Sequence, residues 1–158
     1  MEIRTKILSI DDPSENKFLR KKTTAFDFKK YGRKEIDLLV RKMREAMHRA
    51  NGMGLAANQI GLDASVFVAK VENKFYAIFN PSITKSSNEM IAENGEGCLS
   101  VPKRYGGPRR NAKIMLQGFD KNGKNIKIKA WGTLAVAFQH EVDHLNGILF
   151  IDKLKANN

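Results

Sequence analysis

The stretch TLAVAFQHEVDHL, residues 133–145, constrains the fold of this chain more than any other stretch. Its first residue, Thr133, can cap a helix, and Asn146-Gly147 supplies a typical helix end. Residues 134–138 are apolar on every side of the predicted helix. Such a helix must be covered all round, so we expect it to lie buried in the middle of the domain.

A second helix is predicted nearer the amino terminus. It begins near Arg33, and from Ile36 to Ala50 apolar residues recur every three or four positions. This spacing gives an amphipathic helix with one apolar stripe. Asn51-Gly52 ends the helix, in keeping with a left-handed residue after the last turn.

Two β-hairpins are predicted between the helices. Residues 65–71 and 74–80 are rich in β-branched and aromatic side chains, and only two residues separate them. Residues 113–119 and 124–130 flank the turn sequence DKNG. Together these elements predict an α+β fold, in which antiparallel β-sheets pack around the buried helix and the amphipathic helix lies nearer the amino terminus.

Length and composition indicate one domain in a reducing compartment. No repeat or linker divides the 158 residues, so we predict a single domain over residues 1–158. No apolar run approaches the roughly 20 residues that a membrane-crossing helix needs, and the amino terminus lacks the apolar core of a secretion signal. Cys98 is the only cysteine, which excludes an intrachain disulfide. We expect a cytoplasmic protein, or one of an organellar matrix if a presequence has been removed.

The chain is strongly basic. Its formal net charge is +11 at pH 7, and eight of its basic residues fall within residues 17–34. Clustered lysines and arginines attract polyanions such as nucleic acid. A solvated basic surface without a partner explains the charge equally well, because charge alone does not identify a ligand.

The sequence QHEVDHLNG places two histidines four residues apart on the buried helix. His140 and His144 therefore project from one face, and Glu141 lies about 100° further round, where it can act on a water but is poorly placed as a third ligand. A polar helix face in solvent is the alternative, but the rest of this helix is apolar. Three buried polar groups without partners would cost several kcal/mol, so a shared cation is the simplest explanation.

A catalytic site of the zinc type needs a third protein ligand. Phe150 stands where one metalloprotease class has its third histidine, and Asp152 is the only acid after His144, which excludes a downstream glutamate. Upstream, His48 lies in the last turn of the amphipathic helix, and we expect it on the surface. Cys98 would be a small buried hydrophobe in most chains, but beside the histidine pair it is the better candidate for the third ligand.

Glycines cluster in the stretch NGMGLAANQIG, residues 51–61. No Lys-Ser/Thr pair follows and no strand precedes, so a phosphate-binding loop is excluded. A backbone along which a peptide can lie is the alternative, with Gln59 offering its side-chain amide inside a polar pocket.

Three stretches together resemble the peptide deformylase family: GMGLAANQ at residues 52–59, EGCLS at residues 96–100 and QHEVDHLNG at residues 139–147. They occur in the order of the family, and the helix and hairpins between them resemble its α+β core. The resemblance implies a metal-dependent hydrolase that removes the formyl group from the N-terminal formyl-methionine of newly made polypeptides and releases formate.

The resemblance also implies a role for individual residues. The metal ligands would be Cys98, His140 and His144. The general acid/base would be Glu141, the oxyanion would face the side-chain amide of Gln59 and the backbone N–H of Leu99, and the backbone of Gly54 would accept a hydrogen bond from the substrate. No arginine of the stretch VPKRYGGPRR receives a substrate-binding role.

Helix geometry also indicates a pocket for the methionine side chain. Thr133, Val136 and Ala137 precede His140 by seven, four and three residues, so they share its side of the helix. They would line an apolar slot that Met53 completes. For any one of these residues, a place in the plain core is the alternative interpretation.

The identity of the metal does not follow from its ligands. Two imidazoles and a thiolate accommodate Fe²⁺, Zn²⁺, Ni²⁺ or Co²⁺, and the resemblance implies Fe²⁺ in the cell. Expected partners are N-formylmethionyl nascent peptides and, through the basic surface, a transient contact with the ribosome, without a membrane or a sequence-specific nucleic acid.

Two other functions use the same residues. A metallopeptidase or other amidohydrolase would need the same ligands. A basic RNA- or ribosome-binding module would hold the metal for structure only, although structural sites usually have four protein ligands and only three are identifiable in this sequence.

Overall fold

The computed structural model describes residues 1–93 and 95–156. Its α-helices are Pro13–Leu19 (α1), Arg33–Arg49 (α2), Gly132–Leu145 (α3) and Phe150–Ala156 (α4), and short 3₁₀ turns lie at Phe28–Lys30 and Ala57–Ile60. Its strands are Gly54–Ala56 (β1), Val66–Val71 (β2), Lys74–Ser86 (β3), Met90–Ile91 (β4), Glu96–Cys98 (β5), Val101–Gly106 (β6), Arg110–Asn111 (β7), Lys113–Phe119 (β8) and Asn125–Trp131 (β9). The predicted α+β class is confirmed.

The main sheet has five antiparallel strands in the order β1-β2-β3-β8-β9. Successive residues of a strand point to opposite faces. On β2, Phe67 packs with Phe138 of α3, whereas Val66 and Val68 pack with Leu39 of α2. The sheet therefore separates two apolar clusters, one beneath each of the long helices.

The central helix α3 is buried as predicted. Ala135, Val136, Ala137 and Phe138 are all buried between the sheet and the rest of the chain. The helix ends at Leu145, Asn146 caps it, and Gly147 follows with a φ of 74°, which confirms the predicted end.

The prediction that Thr133 caps α3 is wrong. The helix begins one residue earlier, at Gly132, and the residue in the capping position is Trp131, whose side chain makes no capping hydrogen bond. Gly132 has a φ of 59°, which lets the chain pass from β9 directly into the helix. Thr133 therefore already lies in the first turn, and its hydroxyl donates to Glu93 Oε1 at 2.8 Å.

The predicted amphipathic helix and both hairpins are confirmed. Helix α2 is followed by Asn51 with a φ of 54°, the left-handed residue expected there. Between β2 and β3, Glu72 and Asn73 have φ values of 50° and 64°, which is the pattern of a tight two-residue hairpin turn. Strand β3 runs six residues beyond the predicted end at Asn80, and its pairing with β8 is irregular around Pro81.

Two small strand pairs, β4–β7 and β5–β6, lie outside the main sheet. The β5–β6 pair packs with α4 around a third apolar cluster that includes Val101, Leu149 and Phe150. This cluster holds Cys98, at the end of β5, against the rest of the molecule. Among the described residues, no helix combines the length and apolar character that crossing a bilayer requires.

Candidate metal centre and adjoining cavity

Three potential metal ligands converge between α3 and β5. Cys98 Sγ lies 3.2 Å from His144 Nε2, and His144 Nε2 lies 3.1 Å from His140 Nε2. Helix α3 supplies both imidazoles because residues four apart lie on the same side of a helix. Strand β5 supplies the sulfur, and the structure thus brings together the three residues that the sequence analysis selected.

This donor set fits a divalent transition-metal ion. One thiolate and two imidazoles are a ligand combination typical of Zn²⁺ and Fe²⁺, and three protein ligands leave a coordination position for water or substrate. Burial lowers the pKa of His144 well below its usual value, so its imidazole is held neutral, as a metal ligand must be. His48 is exposed in the last turn of α2, as expected, and contributes nothing to the centre.

A buried ion-pair network orients His140. Its Nδ1 donates to Glu96 Oε1 at 2.6 Å, which fixes the tautomer and leaves Nε2 free to face the centre. Arg110, whose side chain is only 1% exposed, donates from Nε to Glu96 Oε2 at 2.9 Å and from Nη1 to Asp143 Oδ2 at 2.9 Å. Each carboxylate therefore has a buried cationic partner.

The network shifts the pKa values of Glu96 and His140. Burial would raise the pKa of Glu96, but hydrogen bonds from His140 and Arg110 outweigh it and hold that pKa below its usual value. Burial would lower the pKa of His140, but its hydrogen bonds to Cys98 and Glu96 raise it to about 10 in the absence of a metal. A cation at the three donors would replace the proton on Nε2.

The sequence analysis missed this network. Glu96 stands in the stretch EGCLS without an assigned role, and Arg110 lies in the stretch that received none. The position of Glu96, two residues before the candidate ligand Cys98, could have indicated its role. Ligating histidines usually donate their second N–H to a carboxylate or carbonyl, and Glu96 is a carboxylate close to the predicted centre. Nothing in the sequence indicates that Arg110 folds beneath it.

Glu141 lies beside the centre without a hydrogen-bond partner for its Oε2 in the described part of the chain. Glu141 is only 4% exposed, and this burial raises its pKa to about 7, although the charges of His140 and Arg110 oppose the shift. A carboxylate with a pKa near neutrality can both accept and deliver a proton. Gly54 packs directly on it: a Cβ at Gly54 would lie 2.2 Å from Glu141 Oε1.

The amide of Gln59 is buried and oriented. Its Oε1 accepts from the backbone N–H of Ala56 at 2.9 Å, so its Nε2 must point the other way. Nε2 donates to Ser100 Oγ at 3.1 Å and approaches Cys98 Sγ at 3.6 Å. The amide N–H groups therefore lie at the edge of the candidate metal centre.

A cavity of about 670 Å³ opens onto the centre. Its lining includes ten of the eleven site residues that the sequence analysis selected, all except His144: Met53, Gly54, Gln59, Cys98, Leu99, Thr133, Val136, Ala137, His140 and Glu141. Met53, which is 51% exposed, lies at its mouth. Lys103, Arg104 and Tyr105 of β6 form part of the wall, which the sequence analysis did not foresee.

The fold and this centre together define a metal-dependent hydrolase: a site for one cation, a carboxylate able to move a proton and an oriented amide donor meet at one end of a substrate-sized cavity. The profile of the polypeptide deformylase family matches residues 5–158. The chain belongs to this family. It is thus an enzyme that removes the N-formyl group from the formyl-methionine of newly synthesised polypeptides, and it depends on a metal ion.

Individual relatives agree with this assignment. The chain is 43% identical over 121 residues to a peptide deformylase of Syntrophobacter fumaroxidans. The aligned region covers 73% of this chain and 70% of that protein. A peptide deformylase of Synechococcus elongatus, solved in complex with actinonin, superimposes with a TM-score of 0.83 at 31% identity, over 93% of this chain and 76% of that one. An Acinetobacter baumannii peptide deformylase of class I type b, solved with Met-Ala-Ser bound, gives a TM-score of 0.88 at 26% identity over 97% and 99% of the two chains.

Proposed function

We propose that residues 1–158 form a single catalytic domain in which Cys98, His140 and His144 hold the catalytic ion and Glu141 moves the proton. The observation that carries this proposal is the convergence of one sulfur and two Nε2 atoms beside a buried carboxylate. When bound, the ion lowers the pKa of water towards neutrality and polarises the formyl carbonyl.

Proton transfer is the task of Glu141. Its carboxylate takes a proton from the attacking water as the oxygen adds to the formyl carbon. It then delivers that proton to the amide nitrogen, the C–N bond breaks, and formate and a free α-amine leave. Within residues 1–93 and 95–156, Oε2 has no hydrogen-bond partner, which supports this role, since a carboxylate oxygen with a fixed donor would be less available to a reacting water.

Two N–H donors stabilise the oxyanion that develops in the transition state. These are the Nε2 amide of Gln59 and the backbone N–H of Leu99, both on residues that line the cavity. Gln59 is preorganised because Ala56 and Ser100 hold both ends of its amide. A single donor of this kind typically lowers the barrier by about 2.7–4 kcal/mol.

The substrate lies in the cavity with its methionine side chain between Val136, Ala137 and Met53, and the backbone of Gly54 accepts a hydrogen bond from the peptide. Val136 and Ala137 are both more than nine-tenths buried, so they offer an apolar wall at the helix turn that precedes His140. The Acinetobacter baumannii relative with Met-Ala-Ser bound supports a peptide of that length as the occupant.

The ion in the cell is Fe²⁺, with Zn²⁺, Ni²⁺ or Co²⁺ able to replace it, because a thiolate and two imidazoles accept all four. The enzyme acts in the cytoplasm, or in an organellar matrix. It meets N-formylmethionyl nascent peptides there and contacts the ribosome transiently through its basic surface. The eight basic residues within residues 17–34 support such a contact, because all of them are exposed.

The test is formate release from formyl-Met-Ala-Ser by protein purified anaerobically, with elemental analysis of the same sample. We expect stoichiometric formate, one equivalent of metal and no cleavage of an internal peptide bond. Internal cleavage would instead identify a metallopeptidase, and bound metal without any turnover would identify a binding module with a structural ion.

The Glu141→Gln variant separates chemistry from metal binding. It should retain the ion, because Glu141 contributes no ligand atom to the three-donor group, and it should lose turnover. Activity that survives in this variant would contradict the assignment of the proton carrier.

A further inference from the structure

The outer face of the β8–β9 hairpin carries a basic surface that the deformylase reaction does not use. On β9, Ile126, Ile128 and Ala130 pack beneath α3, so the residues that alternate with them point outward. The outward residues Lys127, Lys129 and Trp131 are exposed. Together with exposed Lys85 and Lys113 on the neighbouring strands, they form what we call the lysine–tryptophan face.

Strand register places these side chains next to one another. Lys113 pairs with Trp131, and Met115 pairs with Lys129 on one side and Lys85 on the other. Directly paired residues have Cβ atoms about 5 Å apart, and alternate residues of one strand lie about 7 Å apart. The ammonium groups of these lysines therefore lie close to the exposed indole of Trp131.

The lysines of this face lack partners of opposite charge. Strands β3, β8 and β9 contain no acidic residue. Among the described residues, no ion pair involves any of the four lysines, although a nearby lysine outside the face, Lys121, pairs with Asp37. Glu89 is the acid nearest to Lys85 along the chain, and its carbonyl accepts from the N–H of Ala112, next to Lys113. Glu93 Oε1 accepts from the hydroxyl of Thr133. In the described part of the chain, the four lysines are thus close to few carboxylates and paired with none.

Trp131 is 68% exposed, and it is the only tryptophan of the chain. The rest of this side of the sheet is covered by the α2 cluster, which reaches as far as Phe119. Trp131 lies two residues before Thr133, which lines the substrate cavity. The lysine–tryptophan face thus begins where the covered part of the sheet ends and adjoins the cavity.

We propose that the lysine–tryptophan face binds single-stranded RNA without sequence preference. A base stacks on the indole of Trp131, and the lysines contact the phosphates on either side, which is the combination of aromatic platform and cationic track that such binding requires. A membrane surface is disfavoured because Trp131 is the one exposed large apolar side chain on this face, and Met115 beside it is half-buried. The assignment rests on the ribosome contact proposed above and adds to it a second basic surface, separate from the exposed basic residues within residues 17–34.

Trp131 provides an internal probe for this binding. Metal-loaded enzyme is titrated with an oligoadenylate of about twelve nucleotides, within the usual site size for single strands, while tryptophan fluorescence is recorded. We expect saturable quenching as a base stacks on the indole. Four phosphate contacts predict that the logarithm of the binding constant falls with the logarithm of salt concentration with a slope of about −2.8.

Matched variants locate the site. With fluorescein-labelled oligoadenylate and anisotropy as the readout, Lys113→Glu/Lys129→Glu and Trp131→Leu should each weaken binding by about tenfold or more. The control Lys29→Glu/Lys30→Glu makes the same charge change on exposed residues of the other basic segment, and it should have the smaller effect.

Three results would overturn the proposal. These are no quenching by RNA, a control variant that weakens binding as much as the hairpin variant, and a Trp131 signal that responds to vesicles containing phosphatidylserine but not to RNA. All variants lie outside the catalytic centre, so each should release formate from formyl-Met-Ala-Ser normally. If the parent enzyme releases formate but does not bind RNA, only this inference is refuted. If the parent enzyme releases no formate, the proposed mechanism is refuted.

Discussion

The contact between Gly54 and Glu141 makes a sharp prediction about catalysis. In the Gly54→Ala variant the new Cβ would lie 2.2 Å from Glu141 Oε1, 2.7 Å from Cδ and 3.1 Å from Cγ. Non-bonded heavy atoms settle at about 3.5 Å, so the carboxylate must move by about 1 Å or more. The backbone itself can accept alanine, because Gly54 is not among the glycines with positive φ.

The size of the effect follows from that displacement. A misplacement of about 1 Å at a reacting group costs about a hundredfold in rate. At 1.36 kcal/mol for each factor of ten, this is about 2.7 kcal/mol of barrier. The metal should stay, because the three atoms nearest to the new Cβ all belong to Glu141, which is not one of the three potential ligands.

The assay is steady-state formate release from formyl-Met-Ala-Ser with metal content measured on the same samples. Gly32→Ala is the control: Gly32 has a φ of −75°, and a Cβ there would make only an ordinary contact, 3.7 Å from Glu35 Oε2. A Gly54→Ala enzyme with near-normal kcat would refute the steric argument. Loss of the metal in that variant would show that the contact supports the ligands instead.

Three further predictions concern the supports of the site. Glu96→Gln should weaken metal affinity by roughly 10–100-fold, measured by competition with a chelator, because the carboxylate that orients His140 is lost; unchanged affinity would contradict the orienting role. Arg110→Met should lower the free energy of unfolding by about 3–5 kcal/mol in urea titrations, because the variant lacks the buried guanidinium that pairs with both Glu96 and Asp143 and leaves them only His140 and Lys153; a loss below about 1 kcal/mol would mean that water replaces the guanidinium. Gly147→Ala should destabilise the fold by at least about 2 kcal/mol, since Gly147 has a φ of 74° and its Cβ would lie 2.3 Å from the carbonyl oxygen of Arg20; a thermal midpoint equal to that of the parent protein would contradict the prediction.

The sequence predicted those elements whose periodicity is long and uninterrupted. Helix α2 was recognisable from its apolar stripe, and α3 from an apolar half that only burial can accommodate. Both hairpins were recognisable because short polar turns separate their strands, which are rich in β-branched and aromatic residues in the first hairpin and alternate with a period of two in the second. Strands β1 and β5 were not predicted, since each has three residues and contains glycine, and their pairing is set by tertiary contacts.

The same division applies to the candidate site. His140 and His144 could be placed together because helix geometry fixes their separation, and Cys98 was found because the alternatives could be excluded one by one. The partnership of Glu96 and Arg110 could not be predicted, because it depends on how β5 and β7, which belong to different two-stranded sheets, bring these two side chains together. The start of α3 was misplaced for a similar reason: Gly132 replaces a side-chain cap with a direct turn out of β9.

The most direct test of the central claim is X-ray absorption at the metal edge of the zinc-loaded enzyme. Cys98, His140 and His144 as ligands predict one sulfur at about 2.3 Å and two imidazole nitrogens at about 2.0–2.1 Å, with one further light atom from solvent. The sulfur shell should vanish in Cys98→Asp while the two imidazoles remain. A spectrum of the parent enzyme without sulfur, or with a third imidazole in the solvent position, would contradict the proposed centre.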